Sequence, residues 1–506
     1  MSDAHPHYRA LLQQLHTLDD LHKAAAVLYW DRETCMPVQG NAGRTQQLTT
    51  LNQLAHEMAT STRMADLLAA AELEQASAVP DSDAACLLRC VRRQFDEERR
   101  FPAEFVRWRS EVTGAAGAAW ASARERNDFA AFQPHLERTV EIARQSAEIL
   151  GYAEEKYDAL LNQYERGMKT AAVRAIFATV KRETVPLIQA ISAQLDAIDD
   201  RILYQDFNID AQRAFCRHAA ASVDYDFSRG HLAEVQHPFS TSFGIDDVRI
   251  TTRYQPDFAT SAIFATLHES GHALYEQGIA PALARTPLAQ GTSSGIHESQ
   301  SRLFENQVGR SLGYWQKHYA TLQAHFPAQL GQVSLTQFHR AINKVQPSLI
   351  RVEADELTYN MHIILRFELE QALVRGDLQV QDLPQAWRDG MQALLGITPP
   401  DDAQGVLQDV HWSQAAFGYF PTYTLGNLYA AMFMASARQQ DAHIAAELER
   451  GEVTRLLAWL RHHIHQHGSR FDAPELCRRA TGQELTAEPF VRYVHAKFGA
   501  LYGLGA

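Results

Sequence analysis

Apolar positions recur along most of the chain with the period of an amphipathic helix. Leu11, Leu12, Leu15, Leu18 and Leu21 form one such stripe, and Leu48, Leu51, Leu54 and Met58 form another. Residues 8–75 are therefore expected as helices, with Pro37, Gly40 and Gly43 turning Trp30 to Gly43 into a loop. Residues 84–200 continue the pattern, with breaks expected near Pro102, Gly151, Gly167 and Pro186. Strand signal is scarce. It is confined to the β-branched run Val248 to Tyr254 and a weaker stretch around His237 to Phe243. Beyond residue 300 the helical period returns, interrupted at Pro347, Gly376, Gly396 to Pro400 and Gly418 to Pro421. No internal repeat, low-complexity stretch or long linker appears. The expected architecture is mainly α, one unit over residues 1–506, with helical lobes flanking a groove and a small sheet beside it.

Composition narrows the classes. With 46% hydrophobic residues the chain can bury a large core. The net charge of −13 is spread through the sequence rather than collected in a tail. That argues against nucleic acid or an anionic membrane as the main partner. The basic run Arg89, Arg92, Arg93, Arg99 and Arg100 is interleaved with Asp96, Glu97 and Glu98, as on a solvated helical face. Five scattered cysteines without a Cys-x-x-Cys pair point to free thiols in a reducing compartment. Met1 to Pro6 has neither a basic nor an apolar leader region, and no stretch approaches 18 apolar residues. A cytoplasmic location is expected.

Chemistry concentrates at His268-Glu269-Ser270-Gly271-His272. Residues four apart share a helix face, so both imidazoles can aim at one point. Neutral imidazole suits a borderline cation such as zinc, and two such ligands cannot complete a tetrahedral shell. Glu269 is placed to reach a water in the open position and take its proton, the layout of a metal-dependent hydrolase. Helix caps are expected from Asp257, Thr260 and Ser261, and an end at Gly278 and Pro281.

A third ligand is needed. A histidine six residues past His272 is excluded, because position 278 is Gly. Glu298 follows His272 by 26 residues, enough for a turn and a returning helix that starts at Ser293, Ser294 and Gly295. Glu298, Arg302 and Glu305 share a helical face, so Arg302 is expected to orient carboxylates. A rival cluster, His462, His463, His465 and His467, lacks an acidic base and is expected as an exposed polar helix end.

Five further segments complete a pattern. They are His237-Pro238-Phe239, Asp247-Val248-Arg249-Ile250-Thr251, His297-Glu298-Ser299-Gln300, Ile350-Arg351-Val352-Glu353-Ala354-Asp355 and Gly405-Val406-Leu407-Gln408-Asp409-Val410-His411-Trp412. With the His268 to His272 motif they resemble the M32 family of metallocarboxypeptidases, in order and over about 175 residues. Val27 to Asp31 and Thr34 to Pro37 extend the likeness toward the N-terminus.

The resemblance implies a helical gluzincin-type fold with a deep groove, its metal site within about 237–423. It implies removal of single C-terminal residues from peptides that fit a narrow groove, with Pro at the C-terminus disfavoured. One divalent ion per subunit is expected, zinc with cobalt as the alternative, held by His268, His272 and Glu298. Glu269 is the expected base, and a homodimer the expected assembly. The substrate carboxylate calls for an arginine fork. Arg351 is the first choice and Arg249 the second, each with an alternative as a structural partner of Asp355 or Asp247. Tyr423 and His237 both remain candidates to donate to the oxyanion. Gln408, Asp409, His411 and Asp355 are expected to shape the pocket or support the ligands. The alternatives are a gluzincin oligopeptidase or dipeptidyl carboxypeptidase, or a non-catalytic helical scaffold that binds peptides.

Overall fold

The computed structural model describes residues 5–504. The first stripe becomes a long helix, Pro6–Thr34, followed by Asn41–Thr60, Thr62–Glu74 and Asp83–Arg100. The hydroxyls of Ser61 and Ser82 start the last two by accepting from Met64 N and Ala85 N. The expected loop is shorter than its prolines and glycines suggested, since the first helix runs to Thr34. Arg44 explains why: it donates to Leu28 O at 2.7 Å and pairs with Asp31 at 2.6 Å, tying the second helix to the end of the first. Leu11, Leu15, Met64, Leu68, Cys90 and Phe95 pack together, and Ile279, Leu283 and Leu288 close their core. The N-terminal helices thus rest on the segment that joins the His268–His272 stretch to the Glu298 stretch.

The basic run is engaged between elements rather than merely solvated. Arg92 pairs with Glu72, and Arg93 pairs with Asp472 far along the chain. Helices Ala103–Arg126, Phe129–Leu150 and Thr170–Ser192 follow. Asn127 in the left-handed region and the Asp128 cap make a break that composition did not reveal. Pro186, expected to stop a helix, sits inside one. Burial of Thr184, Leu187 and Ile188 around it holds the helix through the missing amide donor.

The sheet has three strands, β1 Leu232–Glu234, β2 Ser240–Gly244 and β3 Asp247–Thr252, in the order β1-β3-β2. β1 runs parallel to β3 and β2 antiparallel, with a bulge between Ser242 and Gly244. β1 is too short to have registered in the sequence. Val248 and Ile250 are fully buried against Ala220, Tyr225 and Ala273. Ala273 lies on the helix Ala259–Gln277, so the sheet is fastened to the element that carries the paired histidines. The outer edge of β2 is not wholly free, because Lys23 donates to Ser242 O at 2.9 Å.

The remaining helices enclose the principal core, in which Trp315, Trp387, Phe367 and Tyr429 are buried. Pro421 opens the helix Pro421–Gln440, which packs along Ser294–Arg302. The rival histidine cluster is an exposed helix end only in part, at His462. The helix stops at His463, and His465 is fully buried with its Nε2 2.8 Å from Gln300 Oε1. The five cysteines are all free. No helix among the described residues is long and apolar enough to cross a membrane.

Candidate active site

The helix Ala259–Gln277 is buried on nearly every side, which suits its apolar composition. Its start lacks the expected side-chain cap: Phe258 occupies the capping position, and neither Asp257, Thr260 nor Ser261 serves. Packing against β3, where Thr252 Oγ1 donates to Ala262 O at 3.1 Å, anchors that end instead. The returning helix Ser294–Arg302 does start as expected, with Ser293 Oγ accepting from Ile296 N. The two helices cross at Gly271, where a Cβ would stand 2.4 Å from Gln300 O. Only glycine permits that approach, and the approach sets Glu298 opposite the imidazoles.

His268, His272 and Glu298 present one ligand atom each within 4.8 Å of one another. Glu298 Oε2 lies 3.6 Å from His268 Nε2 and 3.4 Å from His272 Nε2. Bonds of about 2.0–2.2 Å in a tetrahedral shell place ligand atoms roughly 3.3–3.6 Å apart, so the triad fits a zinc-sized cation. Glu298 Oε1 is turned away and accepts from Arg302 Nε at 2.7 Å.

A family profile described as "Carboxypeptidase Taq (M32) metallopeptidase" matches residues 10–498. The chain is 41% identical to "Thermostable carboxypeptidase 1" of Thermus thermophilus, over 98% of this chain and 99% of the relative. It is 37% identical to "Carboxypeptidase 1" of Bacillus subtilis, over 99% of each. Among solved structures it is similar to the M32 carboxypeptidase from Deinococcus radiodurans, at 39% identity and a TM-score of 0.95, covering 98% of this chain and 100% of that one. The chain belongs to the M32 carboxypeptidase family. It is a metallocarboxypeptidase, and the family implies a divalent metal and a peptide substrate.

Around the triad of this M32 enzyme each imidazole has a partner on its far nitrogen. His268 Nδ1 faces Glu305 Oε2 at 2.9 Å. Glu305 lies in a π-helical turn, Leu303–Val308, and is gripped further by Arg302 at 3.2 Å and Arg310 at 3.6 Å. His272 Nδ1 faces His297 Nδ1 at 2.6 Å, and His297 Nε2 faces Glu276 Oε1 at 2.9 Å. Burial lowers His272 to about 4, which keeps its imidazole neutral near neutral pH. Burial pushes Glu269 up to about 7, with Glu298 and Glu305 adding to the rise and His268 and His297 opposing it. A carboxylate in that range is matched to proton exchange near neutrality.

Arg351 is buried, and its partner is not Asp355. Its Nε and Nη2 donate to Asp409 Oδ1 at 3.1 and 2.7 Å, and Nη1 donates to the Tyr359 hydroxyl at 3.0 Å. Asp409 Oδ2 accepts from the fully buried Arg366 at 2.5 to 2.7 Å. Two guanidinium groups therefore share one carboxylate, and the group carries a net positive charge. His411, lowered to about 4 by burial, and His362, lowered well below its ordinary value by burial, add none. Tyr423 lies under the same cation, with the Arg351 guanidinium 5.0 Å from its ring centre. Burial raises its hydroxyl well above the usual range, so it stays a donor.

Other expected residues fall elsewhere. Gln408 accepts from Arg351 N and donates to Leu349, Gln404 and Gly405 carbonyls, shaping the loop. His411 stacks on Tyr419 at 5.4 Å. Asp355 does not support the ligands: it accepts from Gln346, Leu357 and Thr358 amides and closes its own turn. Arg249 pairs with Asp247 at 2.8 Å, the structural alternative left open for it, and lies 4.8 Å over Phe243. His237 is exposed, and no hydrogen bond or ring contact joins it to the triad. Sequence reasoning missed Arg366, for which no spacing offered a signal. It also missed Glu276, although the series His268, His272, Glu276 on one helix face was there to find.

Proposed function

We propose that this M32 enzyme removes single C-terminal residues, with His268, His272 and Glu298 as ligands of one zinc ion and Glu269 as base. The observation that carries the reading is the three-atom group around Glu298 Oε2, with Glu269 one residue from a ligand and held near 7 by burial. A divalent cation there supplies Lewis acidity and lowers the pKa of water to roughly 7. Glu269 accepts the proton of the attacking water and passes it to the leaving amine. Arg351, buried beside a single shared carboxylate, offers the C-terminal carboxylate a cation that Asp409 alone does not neutralise. Tyr423 donates to the oxyanion. It is preferred to His237 because it adjoins Arg351 and stays protonated, whereas His237 is exposed.

Arg249 is matched one to one by Asp247, whereas Arg351 and Arg366 share Asp409, and this ranks Arg249 behind Arg351 as the carboxylate clamp. We further propose a homodimer in the cytoplasm, on the family resemblance and on five free thiols; sedimentation velocity tests the assembly. The activity is tested with a blocked tripeptide in free-acid and amidated forms, read by mass spectrometry. Stepwise loss of single C-terminal residues from the free acid alone is expected. Release of dipeptides, or equal cleavage of the amide, would overturn it in favour of a dipeptidyl or oligopeptidase reading.

A further inference from the structure

We propose that His297 and Glu276 are positioning residues for the metal ion, acting through His272, so that this ligand is held by a two-member relay rather than by a single carboxylate. The inference rests on the reading of His272 as a ligand. The contacts are His272 Nδ1 to His297 Nδ1 at 2.6 Å and His297 Nε2 to Glu276 Oε1 at 2.9 Å.

One set of tautomers satisfies both contacts and leaves His272 able to bind a cation. Its Nε2 faces Glu298 Oε2 and must carry the lone pair, so its Nδ1 bears hydrogen and donates. His297 Nδ1 must then accept, which leaves the hydrogen of His297 on Nε2, aimed at Glu276. Glu276 thus selects the tautomer of His297, and His297 selects that of His272. Were His297 to donate from Nδ1, His272 would hold its hydrogen on Nε2 and lose the ligating pair.

The relay has a cradle of its own. A Cβ at Gly291 would stand 2.5 Å from His297 Cδ2, so any larger residue there would displace the His297 ring. Gly291 N also donates to Glu276 Oε1 at 3.3 Å. The Tyr275 ring lies 5.3 Å from that of His297, and its hydroxyl accepts from Thr292 N at 3.1 Å. The imidazole is thus fixed in orientation by the helix that carries His272 and by the loop leading to Glu298. By contrast His268 leans directly on Glu305, within a different set of charges.

The test is the affinity of purified metal-free protein for Zn²⁺, by competition with a chromogenic chelator, and the visible spectrum of the Co²⁺ form. His297→Ala is expected to weaken Zn²⁺ binding by about 10–100-fold and to alter the Co²⁺ bands. His297→Asn, which keeps an acceptor near Nδ1, is expected to fall between it and the parent, and Glu276→Gln to weaken binding as well. Melting of the metal-free forms should stay close to the parent, because a merely structural role would move melting and leave affinity alone. His268→Ala separates the underlying reading: parent-like Zn²⁺ binding by that variant would refute the ligand set itself. Stoichiometric binding by the parent, with all relay variants within twofold of it, would overturn the relay. If His297→Ala does not fold, the other two variants decide by the same criterion.

Discussion

Individual side chains here are governed by burial, and their chemistry follows from it. Glu269 sits where desolvation holds it near 7, yet beside a cluster whose cation would favour its ionised form. Glu269→Gln keeps the shape and removes the proposed base. Its expected effect is a fall in kcat of about 10²–10⁴ with Zn²⁺ stoichiometry unchanged, measured by single-turnover assay and metal analysis. Equal activity would exclude a base role. Glu165 makes a second case. It is buried, accepts from Ser293 Oγ and Gly295 N at the start of the Glu298 helix, and is pushed up to about 7 by burial. Its folded pKa exceeds its ordinary value of 4.5. The contribution to stability is therefore complete below about 4.5 and is lost as pH rises through about 7. Glu165→Gln should gain relative to the parent over that window, by up to about 3 kcal/mol, in thermal melts taken across pH. A difference that shrinks with rising pH would reverse the sign and refute the assignment.

Among elements, two helices decide the site by how closely they cross. Ala259–Gln277 brings the two imidazoles and Ser294–Arg302 brings the carboxylate, and Gly271 lets them meet. Gly271→Ala puts a methyl against the Gln300 carbonyl, which must move. A loss of about 1–3 kcal/mol is expected, with weaker Zn²⁺ binding, because spreading the helices carries Glu298 away from His272. Denaturant melts and chelator competition on the same sample check both; unchanged affinity would show that the crossing does not set the ligand distance.

At the scale of the whole molecule, the triad draws on segments that other parts of the fold hold in place. The sheet fastens one flank of the His268 helix, while the N-terminal helices close over Ile279 to Leu288, between the segments that carry His272 and Glu298. Binding a cation to the native state alone stabilises it by mass action, about 4 kcal/mol when free metal is a thousand times Kd. Chelation should therefore lower the melting temperature, and added Zn²⁺ should restore it. No change in calorimetry would mean that the ion is not bound by the folded chain.

Helical content, the two-helix spacing of His268, His272 and Glu298, and the strand before it were legible in the sequence because each is a local matter. Amphipathic period, cap residues and four-residue spacing act within a turn or two of backbone. Pro186 and the cap of the His268 helix misled for the same reason: packing from distant segments outweighed a local preference. What only the tertiary structure decided is who stands behind each reactive group. Asp409 between Arg351 and Arg366, and Glu276 behind His297, are choices among many acids and bases that composition cannot rank. They are settled where desolvation makes an unpaired charge costly, and that depends on neighbours the chain brings together only by folding.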